Sequence, residues 1–79
     1  MIFRTVEMSI REWIKLQPMS VQTEVWKRLT AFLTTIEIRQ VMVQVEKGNS
    51  LYSAHEKLGL VDKYQLELSK IVGILGKNN

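Results

Sequence analysis

The side chains that could do chemistry are few. His55 is the only histidine in the 79 residues, and Ser53, the nearest candidate nucleophile, stands two positions before it. Two residues apart on a helix point to different sides, so a serine–histidine pair of the hydrolase kind is not set up here. A lone histidine on an ordinary helix is expected at the surface or the boundary of the core. Glu37 with Glu46, and Glu56 with Asp62, are the candidate carboxylate pairs, yet each stands beside or near a lysine or arginine and reads as surface charge or helix capping. With no cysteine, thiolate nucleophiles, disulfides and thiolate metal sites are all excluded. The glycines at 48, 59, 73 and 76 form no phosphate loop, and no cluster has metal-ligand spacing, so no catalytic residue, metal or cofactor is expected. The residue inventory points to a non-enzymatic protein.

Binding is what remains. The net charge of +3 and a pI near 9.5 suit an anionic partner, but basic and acidic residues alternate along the chain and Lys27-Arg28 is the one adjacent basic pair. Interleaving of that kind describes a solvated helix surface better than a polyanion site. No charge-free stretch is longer than Leu29 to Ile36, which is far too short to cross a bilayer, and the N-terminal residues have no signal-peptide character. No membrane insertion is expected, and a cytoplasmic location follows as the default.

The elements that would position any site are helical. Ser9 with Glu12 forms a capping-box pattern, and Ile10, Trp13 and Ile14 supply the apolar positions of a short helix from Ser9 to Leu16 that Pro18 ends. Ser20 is placed to cap a second helix running to about Thr34, with Val21, Val25, Leu29, Phe32 and Ile36 as its stripe and Trp26 and Leu33 widening it. Thr34 and Glu37 repeat the capping-box pattern, so the chain either turns there or continues into a third helix from Thr35 to about Lys47. Ile38, Val41, Met42 and Val45 give that segment a helical period. Asn49 or Ser50 caps a short helix carrying Leu51, Ala54 and Leu58, which ends at Gly59. Asp62, with Gln65 as a capping-box variant, opens a last helix to about Gly76 with Tyr64, Leu68, Ile71, Val72 and Leu75 on one face. The expected fold is all-α: a single-domain orthogonal bundle of four to five short helices with a helix-turn-helix-like pair around Gly59. Residues 1–8 form an irregular or extended arm and residues 77–79 a frayed tail.

Leu51 to Leu68 resembles the helix-turn-helix of small phage and plasmid regulators, through Ala54, Leu58, Gly59, Leu60 and Leu68. His55 stands where that pattern usually has a small residue, and Gln65 where it has a buried aliphatic one. The resemblance implies operator DNA as a partner, with Lys63, Gln65 and Lys70 reaching bases or phosphates and Tyr64 supporting them. Asp62 and Glu67 on the same helix would oppose phosphate.

A protein partner is the preferred expectation. Trp13, Trp26, Met19, Met42 and Tyr52 are a surplus of large apolar side chains for so small a domain, and tryptophan and methionine suit contact surfaces. A thin core also makes a homodimer the default assembly. The expected function is a small non-enzymatic regulator, an adaptor or inhibitor of phage type such as a cytoplasmic antiholin. A DNA-binding transcriptional regulator is the alternative.

Overall fold

The computed structural model describes residues 9–77, so the arm expected at residues 1–8 and the end of the tail, residues 78–79, lie outside the described residues. Six helices follow one another: α1 (Ile10–Leu16), α2 (Met19–Thr30), α3 (Thr35–Glu46), α4 (Leu51–Lys57), α5 (Leu60–Lys63) and α6 (Gln65–Lys77). Among the described residues there is no strand.

Local chemistry sets most of the helix ends. Ser9 and Thr34 each make a full capping box, with Glu12 and Glu37 respectively, and the Ser50 hydroxyl accepts from the Ser53 amide. The second helix departs from expectation at both ends. It starts at Met19, one residue before Ser20, because the Pro18 carbonyl already accepts from the amides of Val21 and Gln22. It stops at Thr30, and the turn through Ala31 to Leu33 takes Phe32 and Ile36 off the α2 stripe and leaves both exposed.

The count of six in place of four or five has one cause. The helix expected to open at Asp62 begins two residues earlier, directly after Gly59, and is interrupted at Tyr64, whose φ of −108° and ψ of 31° leave the helical region. No Asp62–Gln65 capping box forms. The ladder resumes at once, with the Tyr64 carbonyl accepting from the Leu68 amide at 2.9 Å, so α5 and α6 are joined by a one-residue joint. Gly59 itself is left-handed, at φ 73°, as the end of α4 requires.

Packing divides into two unequal clusters. The larger joins Trp13 and Ile14 of α1, Val25, Trp26 and Leu29 of α2, Val61 of α5, and Leu68, Ile71 and Val72 of α6. The smaller holds Val41, Ala54 and Leu60, and Leu33 and Tyr64 touch both. Helix α3 therefore contributes one buried apolar side chain, Val41. Its other anchor is polar. Glu37, 8% exposed, accepts from the Thr34 amide (2.9 Å) and the Tyr64 hydroxyl (2.5 Å) on one oxygen, and from Lys63 Nζ (2.5 Å) on the other. Separately, Arg11 of α1 bridges Glu56 of α4 and Asp62 of α5, at 3.0 and 2.7 Å. Those partners are largely exposed, so this bridge orients more than it stabilises.

Two consequences are measurable. An alanine at the left-handed position should cost about 1–2 kcal/mol, whereas the α6 interior has open space around a Cβ at Gly73. There, alanine should stabilise by roughly 0.5–1 kcal/mol. Urea denaturation of Gly59→Ala and Gly73→Ala tests both, and shifts of the same sign would refute this account. Lys63 first, then Tyr64 and the Thr34 amide, hold the Glu37 carboxyl at about 2, well below its ordinary value. The unfolded chain therefore takes up this proton first, and the stability Glu37 provides is lost as pH falls from about 4.3 towards about 2. Glu37→Gln should be less stable at neutral pH and lose less stability across that acid window. Parallel acid-unfolding curves for the two proteins would remove Glu37 from this role.

Candidate functional site

Helices α2 and α3 both rest on α4, and between them runs a groove of about 320 Å³. One face of α2 lines it through Thr23, Trp26, Lys27 and Thr30, which recur at helical spacing; Ile38, Val41 and Met42 of α3 form the facing wall, and Leu51 and His55 of α4 close it below. The most deeply buried members, Trp26 and His55, make its floor, and the exposed ones, among them Lys27 and Met42, its rim.

The floor is an aromatic stack. The Trp26 indole and the His55 imidazole lie with centroids 4.3 Å apart and planes within 15° of parallel, and Tyr52 meets Trp26 at 6.0 Å in a tilted contact. His55 Nδ1 lies 2.7 Å from the Leu51 carbonyl oxygen, a geometry in which the ring must donate from Nδ1. Neutral histidine then offers Nε2 as a pure acceptor. Among the described residues neither His55 Nε2 nor the Trp26 Nε1–H, a pure donor, has a partner, and both are shielded from water. Unpaired buried groups of this type cost about 1–3 kcal/mol each.

His55 is therefore not the surface or boundary residue expected: it is 2% exposed. Position was the available signal. Leu51, Ala54 and Leu58 define the inward face of α4, and His55, four after Leu51, lies on that face. Burial pushes its pKa down, and the bond to the Leu51 carbonyl offsets part of this.

The remaining side chains singled out in the sequence are scattered. Trp13 and Trp26 both belong to the core, so neither is a surface available to a partner in the free chain. Met19, at the start of α2, and Met42, on the groove rim, are exposed. Tyr52 is half-buried, with Lys15 Nζ 5.1 Å above its ring. Of the four positions tied to DNA, Lys63 and Tyr64 are both bonded to Glu37, while Gln65 and Lys70 are exposed on α6. The joint at Tyr64 separates Lys63 from Gln65, so the four do not share one continuous helix.

A second surface had gone unnoticed in the sequence. Ile36 and Val43 share one exposed side of α3, Ile36 at 66%, and Phe32 just before the helix is exposed too, whereas the exposed Met42 and Val45 lie towards the groove side. The helical period of α3 marks a stripe, but its length cannot reveal how little of that stripe a neighbour covers. Among the described residues no group of acidic or histidine side chains could hold a metal ion, and no helix is long and apolar enough to cross a membrane.

The buried imidazole predicts a pH dependence. As pH falls, the unfolded chain binds the proton near the ordinary histidine value, about 6.5, before the folded chain does, so stability present above that pH declines below it. Urea denaturation at pH 7.5 and pH 5.5 should show the lower stability at 5.5, and His55→Phe, which keeps the stack and removes the titration, should abolish the difference. A difference that persists in His55→Phe would assign it to other groups. Comparison of the chain with protein-family models, curated proteins and solved structures yields no match, so function is argued from the geometry alone.

Proposed function

We propose that this chain is a non-enzymatic regulator that acts by binding another protein, with the outer side of α3 as its contact surface. The observation that carries the reading is the exposure of Ile36 and Val43 on the outer side of one twelve-residue helix whose one buried apolar residue is Val41. Contiguous apolar exposure on a small domain is the usual mark of an interaction site. Ile36 and Val43, seven apart, fall on one stripe, and Arg39 and Glu46 run beside it. An amphipathic helix laid along α3 would cover the stripe and answer those two charges. A second copy of the chain has the same features: two α3 helices paired antiparallel about the Met42–Val43 midpoint bring Arg39 of each opposite Glu46 of the other. Operator DNA has less support, since Lys63 and Tyr64 would have to give up their bonds to Glu37.

The test is the double substitution Ile36→Glu and Val43→Glu. Both side chains are exposed, so helix content and Tm should hold within the range of ordinary surface changes. Light scattering gives the mass of each protein, and affinity capture with immobilised wild type and variant gives the retained partners. Loss of self-association or of a specific retained partner in the variant supports the surface. Unchanged mass together with an unchanged set of retained proteins would reject it.

A further inference from the structure

Helix α3 is fastened differently from its neighbours. Within the main core α1 meets α2 and α6, α2 also meets α4, and α6 also meets α5, whereas α3 packs chiefly on α4. Only Glu37 and Val41 of its twelve residues are buried. Its two connections, residues 31–34 and 47–50, are exposed except for the half-buried Leu33 and Asn49, and the second carries Gly48 at a left-handed φ of 103°. Val41 sits in the small cluster with Ala54 and Leu60, and the Glu37 carboxylate ties the first turn of α3 to Lys63 and Tyr64, at 2.5 Å each. Near the other end, Lys57 of α4 donates to Asn49 at 2.9 Å in an exposed contact.

We propose that α3 is a cover that opens as a unit while α1, α2, α4 and α6 stay folded, with the contact of Glu37 to Lys63 and Tyr64 as its latch. Proteins open in cooperative segments, and those that bury few apolar contacts open first. Helix α3 has one buried apolar side chain to lose, whereas α1, α2, α5 and α6 share the large cluster around Trp26 and Leu68. Helix α4 stays behind because it is held from its other neighbours: His55 stacks on Trp26, Tyr52 meets the same ring, and Arg11 pairs with Glu56. Gly48 stands at the boundary between the moving and the fixed parts, where a residue without a Cβ takes up backbone rotation at least cost. Opening carries Ile38, Val41 and Met42, one wall of the groove, away from α2 and α4, and so admits solvent or solute to the apolar space of about 320 Å³ between them. The device does not depend on the contact surface proposed above.

Native-state hydrogen exchange of the ¹⁵N-labelled full chain in sub-denaturing urea separates local from global opening. The amides of Val41, Met42 and Val43 should exchange through an opening with weak urea dependence, ahead of those of Leu29, Ile71 and Val72, which wait for global unfolding. Gly73→Ala stabilises α6, which is folded in the open form, so it should slow the core amides about two- to fivefold and leave the α3 amides unchanged. Tyr64→Phe keeps the ring and removes one latch bond that the open form also lacks, so the α3 amides should exchange about tenfold faster. The Ile36→Glu, Val43→Glu protein, in which no partner covers α3, should show the same order of opening. Exchange of the α3 amides together with the core, or their slowing with it in Gly73→Ala, would overturn the separate unit. Unaltered α3 rates in Tyr64→Phe would overturn the latch. The wild-type series alone decides whether α3 opens first.

Discussion

The three hydrogen bonds to Glu37 hold the most weakly packed helix in place. Without them α3 would rest on Val41 and on the half-buried side chains along the groove. A carboxylate suits this joint because its two oxygens accept from an amide, a phenol and an ammonium at once, closing the N-terminus of α3 while reaching α5 and Tyr64. Lys63 and Tyr64 are thereby taken out of solvent-directed work. The break between α5 and α6 belongs to the same arrangement: Tyr64 leaves helical geometry at the residue whose hydroxyl binds Glu37 and whose ring touches both clusters.

The groove and the exposed apolar stripe both depend on that helix. Its inner side walls the groove and its outer side presents Ile36 and Val43. An element with few buried contacts and a polar anchor is drawn from the low-stability part of a fold, which is where binding segments are commonly found. The core is concentrated elsewhere, in α1, α2 and α6, and supplies a rigid base for α4 and the aromatic floor.

The floor illustrates how one buried polar residue acquires meaning. Stacked on Trp26 and bonded to Leu51, His55 is fixed in orientation and tautomer, so its second nitrogen is defined as an acceptor. Its neighbour Trp26 contributes a donor on the same floor.

The residues alone determined that the chain is helical, where α1, α3 and α4 begin, and which faces of α1, α4 and α6 turn inward. Capping boxes at Ser9 and Thr34, the Ser50 cap, the left-handed Gly59 and the 3.6-residue period all act within a few positions, so they are visible along the chain. Tertiary structure decided everything that joins distant positions. It placed His55 against Trp26, tied Glu37 to Lys63 and Tyr64 across 26 and 27 residues, and buried both tryptophans. It also left α3 half covered. A stripe on a helix states which side prefers burial, but the amount buried depends on how many neighbours arrive, and that is a property of the packed whole.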